Sequence, residues 1–161
     1  MRLYLRQKSL KSGKTMILSS TCDYGLRAVC YIASETNRQY ISIREISEKL
    51  DISFHFLTKI LQILTQHRLL ISFRGPNGGV SLARSPELIT LKEIIQAIDG
   101  PDLFDKCILG LDNCGDDNPC PLHQQWAGIR ASIGNLFDKT SLKDVADLVR
   151  ENNFRLTNVL P

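Results

Sequence analysis

"SIREISEKLDISFHFLTKILQILTQHRLLISFRGPNGGVSLA" spans residues 42–83, and its reading decides the fold. It opens on Ser42-Ile43-Arg44-Glu45, the spacing of a capping box, in which a Ser caps a helix and a Glu three residues on returns the bond. Ile43, Ile46 and Leu50 then share one face of a short helix. Asp51-Ile52 is a turn, and Ser53 caps a second helix that runs to about His67. In it Leu57, Ile60, Leu61 and Leu64 follow helical spacing and face a core, opposite a polar stripe of His55, Lys59, Gln62 and Gln66. Two helices across so short a turn make a helix-turn-helix. Leu70-Ile71-Ser72-Phe73-Arg74 alternates as a half-buried strand, Asn77-Gly78 signals a hairpin, and Val80-Ser81-Leu82-Ala83 alternates back.

Upstream, Ser19 or Ser20 caps a helix to about Glu35, with Leu26, Val29, Cys30 and Ala33 on its apolar face. Three helices followed by a hairpin read as a winged helix. Downstream, Thr90-Leu91-Lys92-Glu93 is a second capping box, and Leu91, Ile94, Ile95 and Ile98 form one face until Gly100-Pro101 ends the helix. After Pro121 a long helix runs to about Asp138. Its Leu122, Trp126, Ile129, Ile133 and Leu136 alternate steps of four and three, the stripe of a helix that packs on another helix. A dimer seam is expected there. Ser141 caps a last helix carrying Leu142, Val145, Leu148 and Val149.

The expected fold is mainly α: a winged helix-turn-helix with a two-stranded wing and a long C-terminal dimerisation helix. The expected organisation is a basic extension without fixed structure (1–15), a winged-helix domain (16–100), a cysteine-rich loop (101–123), the dimerisation helix (121–140) and a C-terminal helix and tail (141–161). Met16 would be a natural start.

With 161 residues, 43% hydrophobic and 23% charged, the composition is that of an ordinary soluble chain. No apolar run approaches the roughly 20 residues of a membrane helix. No secretory h-region opens the chain, so a cytoplasmic location with reduced thiols is expected. Five cysteines is an odd number and argues against a closed disulfide framework. Residues 1–15 hold five basic residues and no acid, 16–90 eight basic against six acidic, and 91–161 seven against eleven. A polyanion would therefore meet the front of the molecule.

A recognition helix presents its N-terminal residues to base edges in the major groove. Here those are Ser53, His55, Phe56, Thr58 and Lys59. Ser, Thr and Lys can bond bases or phosphates, and Phe56 can touch a thymine methyl. In the hairpin, Arg74, Asn77 and Gly78 are candidates: a narrow minor groove attracts an Arg, and glycines let backbone N–H groups approach phosphate. Arg27 and Arg44, near helix starts, could meet phosphates. The expected partner is double-stranded DNA.

The remaining cysteine pattern is Cys107-x6-Cys114-x5-Cys120-x2-His123, in a loop punctuated by Gly110, Gly115, Pro119 and Pro121. Structural zinc usually uses a Cys-x2–4-Cys knuckle, which is missing. Wider gaps suit an iron–sulfur cluster, whose ligands spread over several atoms and whose iron selects soft thiolates. Zinc and a free-thiol redox switch are the competing readings. A nucleophile built from Cys120 and His123 has no pocket, orienting group or oxyanion hole in the pattern, so no enzyme is expected. Cys22 and Cys30, on the first helix, read as small buried hydrophobes.

The chain from Met16 to about Asn153 resembles the IscR/NsrR (Rrf) family of bacterial winged-helix transcriptional regulators. The resemblance is carried by "CDYGLRAVCYIA" (22–33), the stretch 42–83, "TLKEIIQAIDG" (90–100) and the three loop cysteines. It implies a homodimer on palindromic promoter DNA, acting as a repressor or dual regulator. It also implies an iron–sulfur cluster whose state, set by iron, nitric oxide or oxidation, controls DNA affinity. Cys107, Cys114 and Cys120 match the cysteine ligands, although the first gap is six residues where the assembly regulators have five. His123 stands at a histidine fourth ligand, which favours [2Fe–2S]. Asp23 matches an aspartate that reaches the partner subunit's cluster, which would favour [4Fe–4S]. The expectation is His123. Ser53 matches a family position, the wing 74–79 matches closely, and His55, Phe56 and Thr58 depart from the assembly regulators. The alternative reading is a cluster-free module that senses thiols or binds proteins.

Overall fold

The computed structural model describes residues 17–152 and 154–157. Residues 1–15, read above as an extension, lie outside the described residues.

Seven α-helices and one two-stranded sheet are described: α1 (Ser20–Ser34), α2 (Ile43–Leu50), α3 (Phe54–Gln66), β1 (Leu70–Phe73), β2 (Gly79–Leu82), α4 (Leu91–Asp99), α5 (Asp102–Asp105), α6 (His123–Lys139) and α7 (Leu142–Asn152). This is the winged helix that the sequence predicts. The side chain of Ser19 caps α1 by accepting from Cys22 N. Asp51 ends α2 in the left-handed region at φ 52°, which a short polar side chain tolerates. The turn into α3 is locked by Ile52 N donating to Ser47 O at 3.0 Å and by the Ser47 hydroxyl donating to Ile52 O at 2.7 Å.

Three local expectations are modified. First, Ser42 accepts from Glu45 N at 3.2 Å, but the box is only half made. The Glu45 carboxylate turns instead to Arg38 Nη1 at 2.9 Å and the Tyr31 hydroxyl at 3.0 Å. The Arg38 guanidinium holds the Glu45 carboxyl below its usual range. The Thr90/Glu93 box forms in both directions. Second, Ser53 occupies the N-cap of α3 without a side-chain cap bond. Third, the strands pair antiparallel from Leu70↔Leu82 to Phe73↔Gly79, which leaves Arg74 in the connecting loop. Gly78 N donates to Gly75 O at 2.9 Å, so Pro76 and Asn77 are the central residues of the turn. Pro at the second turn position and Gly at the fourth is the type I preference.

The sheet gains a bridge that local patterning does not reveal. Ile41 N donates to Val80 O at 3.0 Å, and Val80 N returns to Ile41 O at 2.9 Å. This ties the wing to the entrance of α2.

One core gathers Ile46, Leu57, Ile60, Leu61, Leu64, Val80 and Ile94 with Ala28 and Val29 of α1. The last helix joins it: α7 packs along α1 and contributes Leu142 and Ala146. Leu142 N donates to Ile89 O at 2.7 Å and Leu91 N to Thr140 O at 3.1 Å, so the ends of α4 and α7 are stitched together. A second cluster of Cys22, Ile95 and Phe104 lies under Ile133 and Phe137 and holds α6 against α4 and α5. Cys22 and Cys30 are both buried, as expected of small hydrophobes, and burial pushes each thiol up to about 12. Among the described residues no helix is long and apolar enough to cross a membrane.

Candidate metal centre and nucleic-acid interface

The loop between α5 and α6 brings its three cysteines together. The sulfurs of Cys107, Cys114 and Cys120 lie within 4.8 Å of one another. Cys107 Sγ and Cys120 Sγ are 3.6 Å apart. All five cysteines are free thiols. His123 is the first residue of α6, and its backbone N donates to Cys120 O at 3.0 Å. Its ring spans two partners: Nδ1 lies 3.3 Å from Cys114 Sγ and Nε2 lies 3.2 Å from Asp116 Oδ1. Asp116 was not singled out by sequence, because it is one of five turn-forming Asp and Asn residues in that loop. A carboxylate on the far nitrogen is the usual way a ligating histidine is oriented.

Three soft thiols converge from one loop, which fits a thiophilic centre, and the His123 ring stands beside one of them, Cys114. Asp23 is placed differently. It sits in the first turn of α1 and pairs with Arg27 Nη2 at 2.7 Å. Arg27 also stacks over the Tyr24 ring at 4.8 Å and is engaged within its own helix.

The loop thiols are unequal. Backbone N–H groups of Leu111 and, less strongly, Leu109 face the Cys107 sulfur and bring its pKa down to about 7. Desolvation pushes Cys120 up. In metal-free reduced protein, iodoacetamide is therefore expected to label Cys107 with a rate that rises through about pH 7. Cys22 and Cys30 stay unlabelled until the fold opens. Peptide mapping of the alkylated chain after short exposures checks this order.

The second surface lies between the wing and α3. A groove of about 700 Å³ is bounded by Arg44 of α2, by Phe54, Thr58, Gln62 and Gln66 of α3, and by Arg74 and Gly78 of the wing. Ser53, His55, Lys59, Arg74 and Asn77 are exposed. Thr58 is half-buried, and its hydroxyl donates to Phe54 O at 2.7 Å. Phe56 does not face outward with them. It stands four residues before Ile60 and packs edge-on against Tyr24, centroids 5.6 Å apart. The exposed phenylalanine of α3 is Phe54, with the Arg44 guanidinium 5.7 Å over its ring. Sequence reasoning missed Phe54, though it stands one turn ahead of Thr58 and in line with the outer stripe.

The expected dimer stripe divides. Leu122, Ile129 and Leu136 are 44%, 53% and 61% exposed and form one line along α6. Ile133 turns inward onto the second cluster, and Trp126 is half-buried.

Residues 18–148 match the Rrf2 family, described as "Iron-dependent Transcriptional regulator". The chain belongs to the Rrf2 family. It is a transcriptional regulator of the winged-helix type, and its relatives are regulators rather than enzymes. A protein of Aquifex aeolicus (strain VF5), whose name proposes a transcriptional regulator of helix-turn-helix type, is 32% identical over 141 residues, 86% of this chain and 97% of that one. Solved structures share this fold, among them two regulators. CymR (YrzC), the global cysteine regulator of B. subtilis, superposes with a TM-score of 0.71 at 26% identity, covering 83% of this chain and 98% of that one. T. potens IscR does so with a TM-score of 0.67 at 25% identity, covering 86% and 91%.

Proposed function

We propose that this Rrf2 protein binds promoter DNA as a homodimer and that an iron–sulfur cluster on Cys107, Cys114, Cys120 and His123 sets its operator affinity. [2Fe–2S] is favoured over [4Fe–4S]. The observation that carries the reading is the convergence of three thiols at the foot of α6, with the His123 ring beside Cys114. That helix also presents Leu122, Ile129 and Leu136 to solvent at a seven-residue repeat, a seam suited to a second copy. The likeness to an IscR structure supports the same reading.

When bound, the cluster supplies reversible electron uptake and a chemically labile centre. The chain's own residues supply the rest. Cys107, Cys114 and Cys120 as thiolates and Nδ1 of His123 would hold it, and Asp116 on the far nitrogen would orient the ring. The loop, ordered around its ligands, sets the start of α6 and through the dimer seam the separation of the two heads. Half-site reading needs recognition helices about 34–36 Å apart, so a modest rotation at α6 abolishes specific binding.

The test is anaerobic purification followed by visible absorption and iron and sulfide analysis. A coloured protein with iron and sulfide in stoichiometric ratio supports the reading. A colourless protein with one zinc per chain sinks it. A second reading rests on the 3.6 Å approach of Cys107 and Cys120 and on the likeness to CymR: a cluster-free thiol sensor. Iron-free protein in which mild oxidation joins those two cysteines and changes DNA binding would favour it.

On the DNA side, Arg74 is exposed at the mouth of the groove. An Arg74→Ala variant is expected to weaken binding, most on duplexes with a narrow minor groove, and to reduce the slope of log K against log salt by about 1, the value of one cation removed from the duplex. Titrations at several salt concentrations measure that slope. An unchanged slope removes Arg74 from the interface.

A further inference from the structure

The backbone just ahead of Cys107 is gripped by two side chains of α6. Trp126 Nε1 donates to Lys106 O at 2.9 Å. Arg130 Nη1 donates to the same carbonyl at 3.2 Å and to Asp105 O at 2.9 Å. Trp126 and Arg130 are four residues apart, so they stack on one helix face. The other end of the loop is tied to α6 directly, since Cys120 O accepts from the N–H of His123. Beneath the grip Phe104 is buried and meets Phe137 edge-on, centroids 6.4 Å apart. Both ends of the cysteine loop are thus referenced to one helix, and the approach of Cys107 to Cys120 follows from that common reference.

We propose that Trp126 and Arg130 are positioning residues for Cys107. They fix the loop's first turn on α6 and carry any displacement of Cys107 into that helix. The inference rests on the reading of Cys107 as a working ligand or thiol, and it assigns the residues that couple it to the rest of the protein. An indole N–H and a guanidinium are directional donors, so the grip sets a place along the helix as well as a contact. Trp126 is also the only tryptophan in the chain, so its fluorescence reports on the grip directly.

The experiment uses the full chain, reduced and metal-free, and follows amide hydrogen exchange across residues 107–114. Trp126→Phe keeps a ring and removes the N–H, and Arg130→Gln removes the fork. Each is expected to speed exchange in that segment by roughly fivefold, the equivalent of one ordinary hydrogen bond. The double variant should fall short of the product of the two, because both donors share the Lys106 carbonyl. Gln125→Ala, exposed on the same helix, should change nothing in the loop. Amides of α3 and α7 should keep wild-type protection, which separates local release from unfolding. In protein reconstituted anaerobically with ferrous iron and sulfide, loss of iron to a chelator should quicken in the same order, and Arg130→Lys should restore part of the difference. Unchanged exchange in the double variant overturns the proposal. Wild-type protein that takes up no iron overturns the cluster reading alone, and the exchange data still decide the grip.

Discussion

A Cys114→Ala variant is expected to emerge from anaerobic purification without its visible chromophore and with only residual iron and sulfide. Cys114 is the middle ligand of the loop, and its sulfur also faces His123 Nδ1 at 3.3 Å. Removing it leaves two sulfurs 3.6 Å apart and takes away the sulfur that the imidazole faces. Loss of an outer-shell partner alone commonly costs about 10–100-fold in metal affinity, and loss of a ligand costs more. The fold should survive, because Cys114 is half-buried in a loop outside both clusters of the core. Cys30→Ala is the matched control. It removes a thiol from the core of α1, costs some stability and leaves the chromophore intact. The regulatory consequence is read by titrating one operator with oxidised, reduced and iron-free protein. Wild-type affinity should depend on the state, and the variant's should not. A Cys114→Ala protein that keeps its iron, or whose affinity still follows redox state, refutes the ligand assignment.

The parts of this molecule that sequence predicts are those fixed by near neighbours. The apolar spacing of Leu57, Ile60, Leu61 and Leu64 is satisfied by one helix against one core, and all four are buried. The gathering of Cys107, Cys114 and Cys120 could be anticipated because soft ligands are confined to one loop whose glycines and prolines turn it back on itself. What spacing does not fix is decided by residues distant in the chain. Ser42 and Glu45 have the capping-box spacing, yet Arg38 and Tyr31 take the carboxylate. Asn77-Gly78 has hairpin chemistry, yet Pro76 pre-sets the turn one residue earlier. Phe54 and Phe56 are alike by composition, and Tyr24 on α1 claims only the second. Trp126 belongs to an apolar stripe by periodicity, but its N–H finds the carbonyl of Lys106, 20 residues back, and that bond turns it towards its own loop.

Gly79→Ala is expected to detach the wing. Gly79 pairs with Phe73 at the end of the hairpin and follows the turn that carries Arg74 and Asn77. Its local sequence asks only for a small residue, while its surroundings require the absence of a side chain. A Cβ there would stand 2.2 Å from Ile41 O and 2.5 Å from Ile41 C. Both are backbone atoms, and both belong to the Ile41–Val80 pair that fastens the wing to the start of α2. Relief therefore means breaking that pair, with its two hydrogen bonds, on top of the overpacking itself. Overpacking of about 1–3 kcal/mol together with two bonds of roughly 1 kcal/mol each gives a loss on the order of 3–5 kcal/mol. Gly25 makes the contrast. Its added Cβ would meet Ile98 Cδ1 at 2.4 Å, the far end of a flexible side chain that can rotate away. Gly128, on α6, has nothing within reach, so Gly128→Ala should gain about 0.5–1 kcal/mol from helix propensity in the isolated chain. Urea denaturation of the three variants ranks them, and DNA binding at fixed salt shows whether the wing is still in place. If Gly79→Ala unfolds at the wild-type midpoint and binds duplex DNA normally, the bridge to Ile41 does not hold the wing. A Gly128→Ala chain that gains stability when dilute but loses it when concentrated would place this face of α6 against a second copy.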